Sequence, residues 1–118
     1  MAKYYKHNES GMIYRTADDW PHDKTANYVS LPFRRRALFS DEYIEKGFTK
    51  LKGIEKKAAE LMEKGWIYRL IPDGSGWFMD IVGLDDCFAV GMDIADVINS
   101  MPFMMHEYFK VNLEKDRD

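Results

Sequence analysis

One cysteine in 118 residues, Cys87, leaves no internal disulfide framework and fits a reducing compartment. No apolar run approaches the ~18 residues that a membrane-spanning helix needs. The opening MAKYYKHNES is polar throughout and lacks the apolar core of a secretory leader, so the expected location is the cytoplasm, without membrane contact. Histidine is scarce. His7, His22 and His106 have no second ligand at metal-binding spacing, and the DDWPHD stretch around His22 offers acids but no further His or Cys. Acid-rich segments of that kind are ordinarily turns. No Gly-rich phosphate loop and no nucleophile elbow occur. Asp80, Asp85 and Asp86 form a carboxylate cluster, but the further carboxylates of a two-metal centre are missing. The sequence therefore nominates no catalytic residue, no metal ligand and no cofactor. Cys87 lacks a local base to activate it and reads as a buried structural thiol, with its flanking aspartates raising its pKa.

The absence that says most is one of charge. Between Ile71 and Phe109 there is no Lys or Arg, while Asp73, Asp80, Asp85, Asp86, Asp93, Asp96 and Glu107 are present. The net charge of -3 hides this split. Residues 1–70 hold 14 bases against 10 acids, and residues 71–118 hold 3 against 10. An acidic half attracts basic surfaces and repels nucleic acid as a direct ligand. A solvated face that keeps the chain soluble is the competing account. Arg34-Arg35-Arg36 is the one basic run, with no aromatic-glycine motif beside it. It reads first as a solvated cluster, or as a contact for the acidic half or for a second copy in a homodimer, and only second as a phosphate contact.

What is present predicts an α+β domain spanning residues 1–118, long enough to bury a core without staples, with 1–11 and 114–118 as loose ends. Met12–Arg15 and Asn27–Phe33 read as short strands, Pro32 confining the second to an edge or an end. Thr16–Thr25 reads as loop. Ser40 caps a helix carrying Asp41 and Glu42 in its first turn. Ile44, Phe48, Leu51, Ile54, Ala58 and Leu61 continue it to Lys64 as one apolar stripe. Gly47 and Gly53 weaken that helix, and Gly53 is a candidate break. A hairpin over residues 66–82 turns through Asp73-Gly74-Ser75-Gly76. Cys87–Val90 forms a third strand. A shorter helix capped by Asp93 then presents Ile94, Val97, Ile98 and Met101, and Pro102 ends or kinks it. No single helical face accommodates the run Phe103, Met104, Met105, Tyr108 and Phe109, and Phe109, Val111 and Leu113 alternate like a last edge strand.

The segment from Gly74 to Met101 resembles the HicB antitoxin family. An aromatic strand is followed by the loop Val82-Gly83-Leu84-Asp85-Asp86-Cys87 and the helix start Gly91-Met92-Asp93-Ile94-Ala95-Asp96-Val97-Ile98. The family's PDLPGC-like loop is matched in Leu84 and Cys87 but not in its Pro and Gly, and Asp93 stands where Thr is usual. The resemblance covers under a third of the chain. It implies strand-strand-strand-helix-strand order, a truncated RNase H-like fold and a role as an inhibitor without catalysis. With nine residues after Phe109, the DNA-binding module that usually follows in that family is not expected here.

Charge and resemblance together predict a non-enzymatic protein-binding inhibitor. Its partner is a basic protein such as a toxin, a nuclease or a host nucleic-acid-binding complex. Asp80, Asp85, Asp86, Asp96, Tyr108 and Phe109 are the expected contact residues. The alternative is a phage or mobile-element protein that inhibits a host nucleic-acid enzyme or defence complex as an acidic mimic. A metal-dependent hydrolase built on Asp80, Asp85 and Asp86 ranks last.

Overall fold

A computed structural model describes residues 2–17 and 26–115; the TADDWPHDKT loop and the final residues of the tail fall largely outside them. The fold is α+β, two antiparallel sheets with helices packed against them. The first sheet has the order β4-β3-β2-β1-β5, formed by β1 (Tyr4–His7), β2 (Ile13–Thr16), β3 (Tyr28–Leu31), β4 (Arg36–Ala37) and β5 (Phe48–Lys50). The second is a meander of β6 (Tyr68–Asp73), β7 (Gly76–Ile81) and β8 (Leu84–Gly91). Helices α1 (Asp41–Gly47) and α2 (Gly53–Met62) flank β5, and α3 (Ile94–Lys115) follows β8.

Two local signals act as expected. Ser40 Oγ accepts the Tyr43 N–H at 3.1 Å, and Asp93 Oδ1 accepts the Asp96 N–H at 2.8 Å, each satisfying an otherwise orphaned donor in a first turn. Gly74 takes φ 61 in the two-residue turn that closes the β6–β7 hairpin, as a type that needs positive φ requires. Pro32 follows the last residue of β3, where its missing N–H interrupts no ladder bond.

The helix expected over residues 41–64 is instead two helices with a strand between them. Phe48–Lys50 pairs with β1, Thr49 opposite Lys6, and Gly53 starts α2 with φ 60. The apolar stripe accordingly serves two cores. Ile44 and Phe48 join Tyr28 on one face of the first sheet, with Tyr5, Tyr14 and Phe39 packed around them. Leu51, Ala58 and Met62 enter the main core on the other face. The opening residues, expected to be loose, supply β1, which is hydrogen-bonded on both sides. Tyr4 anchors it: its ring is buried and its hydroxyl donates to Glu63, whose other oxygen takes Arg15 Nε at 2.6 Å.

Helix α3 is long rather than short, and passes through Pro102. Proline there forfeits one backbone hydrogen bond. Burial of Val97, Met101, Met105 and Phe109, stepping by four along one face, offsets that loss, with Pro102 and His106 buried beside them. That face accommodates two of the five residues of the Met-aromatic run, Met105 and Phe109. Phe103, Met104 and Val111 point elsewhere and stay exposed. The edge strand expected at Phe109–Leu113 is therefore absent, its residues belonging to α3. The main core runs continuously from Ile13 and Leu31 of the first sheet through Ala58 and Met62 to Met79, Ile81 and Ala89 of the second.

Candidate functional site

The carboxylates of the acidic half are sorted into separate places by the pairing of β7 with β8. Ile81 pairs with Leu84, but the next residue back, Asp80, pairs with Phe88. One step along β7 thus spans four along β8, and Asp85, Asp86 and Cys87 form a bulge, with Asp86 at φ 66. The bulge leaves Cys87 buried and the two aspartates exposed. Burial pushes the Cys87 thiol up to about 11. Burial alone accounts for that shift, not the flanking aspartates.

The exposed side of the bulge faces α3. Asp85 and Asp86 border an open cavity of about 460 Å³ with Met104, Glu107, Tyr108, Val111, Asn112 and Lys115. Those α3 residues share one stripe, spaced by three and four, adjacent to the buried stripe. The Tyr108 phenol is pushed upward, first by burial and then by Cys87, Asp85 and Asp86. Lys110 Nζ lies 3.9 Å from Glu107 and 3.6 Å from Glu55. The groove therefore has a carboxylate-rich wall, an apolar floor of Met104 and Val111, and Lys115 at one end.

Three of the six expected contact residues, Asp85, Asp86 and Tyr108, converge here. The others do not. Asp80 lies on the outward face of the second sheet, where Arg69 Nε donates to its Oδ1 at 2.8 Å. That hydrogen bond first, and then the guanidinium charge, hold the carboxyl below its usual value. A base just outside the base-free segment, Arg69, thus neutralises one of the expected contact acids. Asp96 sits in the first turn of α3, twelve residues and about 18 Å along the helix axis from Tyr108. Phe109 is a core residue, 5% exposed and stacked on Trp66 with ring centroids 5.5 Å apart.

Glu107, Met104 and Val111 belong to the groove and were not expected there. Their shared stripe is visible in the sequence only if residues 103–115 are read as helix rather than as an edge strand at Phe109–Leu113. Arg34 and Arg35 lie in the exposed turn between β3 and β4, where Arg34 N–H donates to Ser30 O at 2.9 Å, and Arg36, also exposed, opens β4 opposite Val29. Arg35 borders a different cavity, with Phe33, Ala95, Ile98 and Asn99, on the first half of α3. Asp80 is separated from the Asp85–Asp86 bulge by its pairing with Arg69. Among the described residues no three His, Cys, Asp or Glu side chains converge as metal ligands do. No described helix is long and apolar enough to cross a membrane.

Comparisons with protein-family models, with curated proteins and with solved structures find no match to this chain.

Proposed function

We propose that this chain is a non-enzymatic inhibitor that binds a basic protein, in the manner of the HicB-type antitoxins it resembles, through the groove between the β8 bulge and α3. The observation that carries this reading is the convergence of Asp85, Asp86 and Glu107, from two separate elements, around Tyr108, Met104 and Val111. Carboxylates at a rim speed association and select a basic partner, while the ring and the methionine supply contact area once water is expelled. Lys115 is the sole base among the described lining residues and Lys110 lies 3.9 Å from Glu107, so the negative charge of the groove, which disfavours phosphate backbones, rests mainly on Asp85 and Asp86. The order β6-β7-β8-α3 agrees with the first four elements of the resembled family, although α3 occupies the place of its last strand.

The test begins with capture and identification of the partner from the native host, then association kinetics. Reversing Asp85 and Asp86 to Lys is expected to slow association at least tenfold and to flatten its salt dependence. Both side chains are exposed, so the melting temperature should fall by no more than the strain of placing Lys at the φ 66 of position 86, and Asp85→Lys alone should leave it unchanged. Tyr108→Ala is expected to raise the dissociation rate. A partner whose association ignores both salt and the double reversal would overturn the reading.

A further inference from the structure

We propose that the outward face of the β6-β7-β8 sheet is a self-association surface, covered by the same face of a second copy of this chain. An antiparallel sheet with one solvated face normally alternates apolar inward and polar outward positions. This sheet does not. Its inward residues Met79, Ile81, Cys87 and Ala89 are buried in the core. The pairing then places Ile71, Phe78 and Val90 in one outward row and Arg69, Asp80 and Phe88 in the next. Phe78 and Phe88 stack across these rows, with centroids 5.4 Å apart and planes 25° apart. Ile71 and Phe88 are each 41% exposed and Val90 58%, while Ile67 and Val82 at the adjoining end are 66% and 48% exposed. The fractions amount to on the order of 500 Å² of apolar surface in one patch, near the upper end of what a monomer leaves uncovered. That is below the roughly 800 Å² per partner of a standard interface, so the polar rim of the sheet makes up the difference in the proposed dimer.

Charge selects the occupant. The two charged groups at the centre of the face, Arg69 and Asp80, are already paired with each other. A strongly basic or acidic partner gains nothing from such a face and would bury charge without compensation. A second copy brings the same flat apolar rows and the same neutral pair. A two-fold operation across the face lets Phe78 and Phe88 of one copy meet Ile71 and Val90 of the other and lets each Arg69 reach either Asp80, so that no ion is stranded. The face does not include the acidic groove, whose carboxylates border α3. Self-association and groove binding can therefore fail separately.

Sedimentation equilibrium over a concentration series tests the proposal. The unaltered chain is expected to show twice the single-chain mass. Ile71→Lys and Val90→Lys, each at an exposed strand position, are expected to raise the dimer dissociation constant at least tenfold. Their circular dichroism and melting at low concentration should stay unchanged, which separates loss of association from misfolding. The double swap Arg69→Asp with Asp80→Arg is expected to associate better than Arg69→Asp alone. A chain that stays single up to about 1 mM overturns the proposal and leaves the face to another occupant. So does a dimer indifferent to both lysine substitutions.

Discussion

At the scale of single residues, burial decides which titratable groups have consequences. His106 is 2% exposed on the side of α3 that meets α2, and its Nε2–H donates to the Glu55 carbonyl oxygen at 3.0 Å. Burial, first among the causes, lowers its pKa from the ordinary 6.5; Lys6 adds to this, while the Glu55 carbonyl and the Glu107 and Glu55 carboxylates oppose it. The sign follows from linkage. Below about pH 6.5 the unfolded chain binds a proton at this position that the folded chain resists, so stability falls as pH drops through that window. His106→Gln retains a donor for the carbonyl and removes the titration. Urea unfolding between about pH 7.5 and pH 5 is expected to show a smaller loss for the variant than for the unaltered chain. Equal losses would assign the pH dependence to other groups.

At the scale of elements, the break between α1 and α2 is a backbone decision made at Gly53. Within a continuous helix Gly→Ala would stabilise by about 1 kcal/mol. At φ 60 the same change is expected to destabilise by about 1–2 kcal/mol, because an L side chain is strained there. Nothing lies within 4 Å of the added methyl, so the cost is purely conformational and its sign reads out the local structure. The urea midpoint of Gly53→Ala decides between the two arrangements. Gly91 is constrained differently, since a Cβ there would lie 2.6 Å from Asp96 Cβ. That close approach seats the first turn of α3 on the end of β8, which aims the rest of the helix along the sheet and past the bulge.

At the scale of the whole molecule, an ion pair ties the first sheet to the helical layer. Arg15 is 5% exposed, and Glu63, directly after α2, accepts from both Arg15 and the Tyr4 hydroxyl. Removing Glu63 takes from the buried Arg15 guanidinium its carboxylate counter-charge, while its bond to the Thr16 carbonyl oxygen at 2.8 Å remains. Glu63→Ala is therefore expected to cost about 2–4 kcal/mol, against the few tenths at most expected for removing an exposed pair such as Glu42–Lys46. Thermal unfolding of the two variants compares them directly. A mild effect at Glu63 would show that the layers are held by apolar packing alone.

The sequence by itself determined what short-range chemistry controls: the α+β class, the Ser40 and Asp93 caps, the Gly74 turn and the concentration of acids after Ile71. Each depends on a few neighbouring residues whose hydrogen bonds or φ preferences act within one turn of chain. Only the tertiary structure decided the rest. An apolar stripe shows which residues seek burial, not that Phe48 and Leu51 would enter cores on opposite faces of a sheet. That outcome needed β1, more than 40 residues earlier, as the pairing partner of Phe48–Lys50. Packing of Met101, Met105 and Phe109 carried α3 through Pro102, against the local preference to stop, and put Phe109 inside. The acids were countable beforehand, but their grouping was not. The register shift opposite Asp80 and Ile81 turned Asp85 and Asp86 toward Glu107 and left Asp80 with Arg69, because strand pairing fixes which side chains share a face.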